Sequence, residues 1–240
     1  MQYHKKNKDD IIPKARMGVH EVILEWFDKQ KRGSVLDVPA GYGHLSTQLK
    51  HSGFSVTAGE IEPEHFGVKD VKCVYMDLSN KIDIPDNSFD YVCCVDGLEH
   101  ITNPYNAVAE LARILKPGGY AVFSIPNYSN IEKRFKFLFH GYLTAPKTLK
   151  DFKKSGENLH NFHNSPLTIT LLDLIFKINN LEIKEILHDK KKKSQMLLYI
   201  VYPLLKLISK LSHKKPTNDV TLKKDILFGG NIVIFILQKQ

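Results

Sequence analysis

Cysteine is scarce in this chain, and the little there is lacks a site-like spacing. Cys73, Cys93 and Cys94 make an odd count, with two adjacent inside an apolar run. That excludes a disulfide-stapled scaffold and a cysteine-ligated zinc centre, and it implies reduced thiols in a core. Arginine is scarce as well: Arg16, Arg32, Arg113 and Arg134 are the whole set, so lysine carries the net charge of +8. No basic stripe interleaved with aromatics accompanies it, and nucleic acid is not expected as a partner. The surplus fits a solvated lysine-rich face or attraction to an anionic surface. Long apolar runs are missing too. Gln195 to Leu211 is apolar but is broken by Pro203 and Lys206, and it is too short to cross a bilayer. Together with the basic run Lys190 to Lys193, residues 190–211 read as a peripheral membrane contact, a dimer face or a cover for a site. The opening residues, Met1-Gln-Tyr-His-Lys-Lys, form no apolar signal segment, so the expected compartment is the cytoplasm, with a peripheral membrane contact as the variant.

What is present suffices for one substantial core. With 240 residues, 42% hydrophobic and 25% charged, the chain reads as a single domain, monomeric or homodimeric. Apolar residues at Met17, Val22, Ile23, Trp26 and Phe27 predict a helix over about 14–31, closed by Gly33 and packed over the ligand cleft, with His4 and Arg16 reaching into that cleft or else surface groups. Short apolar runs then alternate with amphipathic ones. Strands are predicted at Ser34–Val38, Phe54–Ala58, Val71–Met76, Phe89–Val95 and Tyr120–Ile125, and helices at His44–His51 and Pro104–Leu115, with a short helical turn opened by Pro63. This core, about 32–126, is followed by residues 127–165, which break the rhythm. So long an irregular stretch reads as a lid or binding loop. Residues 166–240 return to helix and strand, with Thr168–Asn179 helical and Leu181–His188 and Asn231–Leu237 extended. The expected fold is α/β: a Rossmann-like, seven-stranded, mostly parallel sheet with helices on both faces, an antiparallel final strand and a small lid.

The chain is organised around Ser34-Val-Leu-Asp-Val-Pro-Ala-Gly-Tyr-Gly-His-Leu-Ser46. Strand, glycine turn and helix in that order form a cofactor-binding device. The glycines let the backbone approach a ligand, and the helix start presents N–H groups. The next apolar run ends in Gly59-Glu60. A carboxylate there suits both ribose hydroxyls of a nucleoside and disfavours a 2′-phosphate.

Leu36-Asp-Val-Pro-Ala-Gly-Tyr-Gly43 resembles the first motif of class I S-adenosylmethionine (SAM) methyltransferases. Val56-Thr-Ala-Gly-Glu-Ile-Glu62 is similar to the second strand and its ribose acid, and Tyr75-Met-Asp-Leu78 to the strand end that frames adenine. Ser88 to Ile101 is similar to the fourth strand and its exit. Glu110-Leu-Ala-Arg-Ile-Leu-Lys-Pro-Gly-Gly119 is similar to the turn into the fifth strand. The overall pattern resembles ubiquinone- and menaquinone-type methyltransferases and those associated with polysaccharides. The resemblance implies SAM as cofactor and S-adenosylhomocysteine as product. It places Asp37, Pro39, Ala40, Gly41, Tyr42, Gly43, Glu60, Ile61, Asp77, Leu78 and Asp96 against the cofactor. Pro39 stands where the family has glycine. Having no N–H, it shifts the expected binding of the methionine carboxylate onto the amides of Gly41 and Gly43.

The implied reaction is methyl transfer, foremost to an oxygen of a small molecule, saccharide or lipid-linked intermediate. Such an acceptor must lose a proton. His100, just past the fourth strand, is the first candidate base, or else it caps the segment that follows. His163 and His160, in the lid, come next, or else are surface groups. Asp37 reads as a motif organiser or as partner of the methionine amine. Asp96-x-x-Glu99-His100 has a ligand-like spacing, and some relatives of these families hold a divalent ion with a similar cluster. The aspartate is one carbon short, so no metal is assigned. Two other classes remain open: a non-catalytic SAM-binding or scaffold protein, and a nucleotide-cofactor enzyme of similar sheet topology.

Overall fold

A computed structural model of the chain describes residues 15–16, 18–144, 147–156, 162–163, 165–189, 200, 202–212 and 220–240. His4, Met17, His160 and Lys190 to Lys193 lie outside the described residues. The first strand, β1 (Ser34–Asp37), shows how the core is divided. Leu36, with Val38 just beyond the strand, points to one face of the sheet and Val35 to the other. The same period of two runs through β4 (Phe89–Val95), where Val92 and Cys94 oppose Tyr91, Cys93 and Val95. In β7 (Ile232–Lys239), Val233, Phe235 and Leu237 oppose Ile232, Ile234 and Ile236. Strands apolar on both faces must be covered on both, which is the signature of a doubly wound sheet.

Two helices cover each face. On one side lie α1 (Val19–Phe27) and α2 (His44–His51), burying Val19, Ile23, Trp26, Phe27, Leu45 and Leu49. On the other lie α3 (Pro104–Ile114) and α6 (Ile169–Ile178), burying Val108, Leu111, Leu172 and Phe176. The remaining strands are β2 (Ser55–Glu60), β3 (Lys72–Tyr75), β5 (Leu115–Pro126) and β6 (Leu181–His188). Their order is β3-β2-β1-β4-β5-β7-β6. The strands β1 to β5 pair in parallel, and β7 runs antiparallel between β5 and β6. The seven-stranded, mostly parallel sheet with an antiparallel final strand is as expected, and that strand is inserted next to β5, leaving β6 at the edge. Strand order reverses between β1 and β4, so the carboxyl ends of these two strands flank the crevice in which such sheets bind ligands.

Three elements differ from expectation. The first helix ends at Phe27, well before Gly33, because Arg32 folds back and donates from Nη1 to the carbonyls of Phe27 (3.1 Å) and Gln30 (3.0 Å). Its body packs on the sheet rather than over the crevice, and only the segment ahead of it reaches there, through the Arg16 amide 3.5 Å from Asp96 Oδ2. The fifth strand begins at Leu115 and runs through the Lys-Pro-Gly-Gly turn, with a register irregularity opposite Phe89 to Tyr91. The lid contains two helices, α4 (Ile131–His140) and α5 (Leu149–Lys154). Each has its own cap: Asn130 accepts from the Lys133 amide at 2.9 Å, and Thr148 with Asp151 forms a capping box. Beyond the lid, α7 (Tyr202–Ser212) and α8 (Lys224–Leu227) precede β7. No helix among the described residues is long and apolar enough to cross a membrane.

Candidate cofactor and acceptor site

The crevice is built from the loop after β1. Gly41 and Gly43 both adopt positive φ, 58° and 92°, and Gly43 is the residue before α2. A side chain at Gly43 is excluded twice, by that backbone and by Val68 and Phe66, whose side chains fill the space its Cβ would take. The ring of Pro39 leans on Gly97, in the loop after β4, where an added Cβ would come within 2.5 Å of the Pro39 Cδ. Pro39 therefore packs the turn against the facing strand's exit, a role that needs no N–H.

Glu60, at the end of β2, closes onto this turn. Its Oε2 accepts from the Gly41 amide at 2.6 Å and its Oε1 from the Ile61 amide at 3.0 Å. The residue is 7% exposed. A carboxylate has about four acceptor positions, so both oxygens retain capacity for a ligand's hydroxyls. The amide of Gly43 donates to the Ala40 carbonyl at 3.0 Å, and that of Ala40 to the Gly59 carbonyl at 3.0 Å. Both amides expected to meet the methionine carboxylate are bonded inside the protein, Gly41 to Glu60 and Gly43 to the turn itself. Tyr42, by contrast, exposes its ring at the turn's outer edge.

Asp37 takes the organiser's place. Its Oδ2 accepts from Ser46 Oγ at 2.6 Å, which ties β1 to the first turn of α2. Burial pushes its carboxyl up to about 7, with Glu60's charge adding and the Ser46 bonds opposing. The sign of the linkage follows. Unfolded, Asp37 ionises near 3.8 and, folded, near 7, so the folded chain holds the proton more tightly between them. That stabilisation is complete below the lower value and is lost as pH rises through the higher one. Asp37→Asn removes the titration. The melting temperature of the ligand-free variant, relative to wild type, is expected to climb from about pH 5 to about pH 8, equivalent to roughly 3 kcal/mol at most over that window. A difference that stays flat with pH would contradict the raised carboxyl.

The adenine-framing pair is divided. Asp77 spends its carboxylate on its own turn, accepting from the Ser79 amide at 2.8 Å and Asn80 Nδ2 at 2.7 Å, and Leu78 is buried in the core. Asp77 also lines a cleft of about 560 Å³ with Lys72, Tyr75, Asn80 and Lys81, to which no residue of the 37–43 turn contributes.

Across the crevice, Asp96 sits at φ 47° and accepts at Oδ1 from Ser124 Oγ at 2.5 Å. Its two oxygens are taken by Ser124 and by the Arg16 amide, and it is not one of the three residues whose ligand atoms converge beside it. His163 stands there instead. Glu99, His100 and His163 bring a ligand atom each within 4.8 Å of one another, and the two imidazoles meet edge to face at 4.9 Å between centroids. Two residues on from His163 the chain is stitched to the strand-four exit: Ser165 donates from its amide to the Glu99 carbonyl at 3.1 Å and from Oγ to the Ile101 carbonyl at 2.7 Å. Tyr128, just past β5, brings its hydroxyl to 3.1 Å from His163 Nδ1. Packing of the His163 ring lowers its pKa, with the charge of His100 adding, although the residue's outer edge is open. Glu99 is 2% exposed, its Oε2 has no hydrogen-bond partner among the described residues, and burial lifts its carboxyl to about 8. Sequence reasoning did not find Tyr128, and it gave His163 no partner. The only signal for Tyr128 was its place directly after the fifth strand, at the sheet's carboxyl edge.

A glycine turn closed by a carboxylate at the switch point of a doubly wound sheet defines a protein that holds a nucleoside cofactor. A sequence profile described as a methyltransferase domain matches residues 14–185. The chain belongs to that methyltransferase-domain family, the SAM-dependent class I enzymes, whose cofactor the turn and Glu60 fit. Among curated proteins it is similar to the ubiquinone biosynthesis O-methyltransferase of Aromatoleum aromaticum, at 29% identity over 55% of this chain and 59% of that one. The enzyme of the same description from Acinetobacter baumannii strain AYE is 24% identical over 63% of this chain and 72% of its own. The match thus spans about three fifths of the Aromatoleum protein's length. Among solved structures, a SAM-dependent methyltransferase from Archaeoglobus fulgidus shares the fold at a TM-score of 0.54 and 17% identity, covering 92% of this chain and 95% of that one. So does phosphoethanolamine N-methyltransferase 2 of Haemonchus contortus, solved with SAM, at 0.53 and 18%, covering 92% and 52%.

Proposed function

We propose that the chain transfers the methyl group of SAM to an oxygen of a small-molecule, saccharide or lipid-linked acceptor. The observation that carries this reading is the pair His100–His163 at the mouth of the crevice, beside the exit of β4. When bound, SAM supplies a sulfonium-activated methyl and a neutral leaving group, so the chain has only to align the acceptor and take its proton. Glu60 and the 39–43 turn hold the nucleoside, with Asp37 fixing the turn to α2. Tyr128 accepts the Nδ1 proton of His163, which leaves the Nε2 lone pair to receive the hydroxyl proton. The similarity to proteins described as O-methyltransferases supports oxygen as the acceptor atom.

One observation favours a second form of the same reading. The buried Glu99 Oε2, which has no hydrogen-bond partner among the described residues and lies beside two imidazoles, suits a divalent cation, which would lower the pKa of an acceptor hydroxyl and orient it. The experiment pairs isotopically labelled SAM with panels of phenols, sugars and amines, before and after chelation. Label recovered as a methyl ether supports the proposal. Label on nitrogen alone, or cofactor binding with no acceptor methylated, contradicts it. Turnover that survives chelation assigns the histidines as base. Turnover lost to chelation and restored by added divalent ions assigns them, with Glu99, as ligands.

A further inference from the structure

Among the described residues, two amphipathic helices have exposed apolar stripes that start close together. In α4 the stripe begins with Ile131, which is buried, and continues at Phe135, Leu138 and Phe139. This is one helical face, yet Leu138 is 71% and Phe139 74% exposed. In α7 the corresponding stripe is Leu204, Leu207 and Leu211, the last 78% exposed. Both helices are rooted in one small cluster. Ile131 packs with Leu227 and Phe228, and Tyr202 and Leu205 pack against the same group. Arg134 Nη2 and the Tyr202 hydroxyl donate to the carbonyls of Thr221 and Leu222, at 2.8 and 3.3 Å. The two uncovered stripes therefore start from adjacent anchors.

Charge decides what covers them. Residues 131–156 hold seven lysines and arginines against Glu132 and Asp151 alone, and residues 190–218 hold eight lysines and no carboxylate. The excess positive charge of the chain is thus gathered on the two segments that carry the exposed aromatic and leucine side chains. Aromatic and leucine side chains flanked by lysine are the composition of a helix that lies in a lipid interface, where long lysine stems keep their ammonium groups among the headgroups. A second copy of this surface would bring positive charge against positive charge.

We propose that α4 and α7 form an interfacial membrane-docking surface for anionic lipid bilayers. The argument uses only α4, α7 and their charge, so the inference does not depend on the methyl-transfer reading.

The test is co-sedimentation of the full chain with phosphatidylcholine vesicles, with and without phosphatidylglycerol. Expected is binding to the anionic vesicles that falls at least about tenfold when salt is raised from roughly 0.1 M to roughly 0.5 M. The double substitution Phe139→Ser, Leu211→Ser is expected to weaken it about tenfold or more, with the melting temperature and SAM affinity unchanged because both side chains are exposed. No binding to anionic vesicles overturns the proposal. Binding that survives the double substitution overturns it as well. So does a stable homodimer, seen by light scattering, that the same substitution dissociates, since a second copy would then be the occupant.

Discussion

Replacing Glu60 with alanine is expected to raise the dissociation constant for SAM by roughly 100- to 1,000-fold. Two hydrogen bonds to a charged acceptor, at the lower part of about 1.5–3 kcal/mol each because water replaces the lost partner, give that range. The carboxylate sits where the Gly41 and Ile61 amides fix both of its oxygens, so it is preorganised and spends little on ordering when the ribose arrives. The loss has a second part. Without Glu60 the two amides have no acceptor, so the turn itself loosens and the melting temperature falls. Titration calorimetry separates these contributions if Glu60→Gln is measured beside it. Glutamine keeps one acceptor for the Gly41 amide but sets an amide nitrogen against the other partner, so its affinity is expected between the two. A Glu60→Ala protein that binds SAM like wild type would remove Glu60 from the cofactor site.

The second large effect belongs to the imidazole pair. His163→Ala and His100→Ala are each expected to lower kcat by about 10²- to 10⁴-fold, the span of general-base assistance, with SAM affinity changed by no more than about twofold. The double variant is expected within about threefold of the slower single variant, because groups that act as a unit do not contribute independently. Tyr128→Phe leaves both rings in place and removes only the oxygen 3.1 Å from His163 Nδ1, so a loss of about tenfold is expected. Additive losses in the double variant, or single variants with normal turnover, would mean that the cluster does not serve the reaction. These measurements read rate and affinity separately, so a weakened cofactor cannot pass for a lost base.

The sheet was legible because its central strands β1 and β4 are short and apolar on both faces, and because glycine or proline follows several strand ends. The core helices were legible for a similar reason: Leu45 and Leu49, or Leu172 and Phe176, repeat at helical spacing and do become buried. The lid helices were not legible as helices. In α4 the apolar positions are crowded among lysines and histidine, and the cap that starts it, Asn130, looks like one more polar residue in a loop. Its second task, donating from Nδ2 to the Gly230 carbonyl at 2.9 Å, joins segments a hundred residues apart. Local pattern carries no information about such a bond. The limit of the first helix was hidden in the same way, because the Arg32 side chain that ends it comes from the following loop.

The candidate site divides along the same line. Gly41, Gly43, Asp37 and Glu60 were readable because a strand–turn–helix device places them by local chain geometry. That Glu60 and the turn bond to each other, and so consume the Gly41 amide, follows from the parallel pairing of β1 with β2 and became visible only in three dimensions. Asp96 and Glu99 share one loop and look alike in sequence. Ser124 on β5 holds one oxygen of Asp96, whereas Glu99 stays buried beside His100. His163 reaches them from the lid because Ser165 is bonded to that loop. Three-residue spacing suggested one cluster, and the strand across the sheet decided another.

The most direct test is a crystal structure of the chain grown with S-adenosylhomocysteine. Both ribose hydroxyls within hydrogen-bond distance of the Glu60 carboxylate, with the nucleoside against the 39–43 turn, is the predicted result. Clear density for the nucleoside elsewhere, with Glu60 still facing only the amides of Gly41 and Ile61, would contradict it.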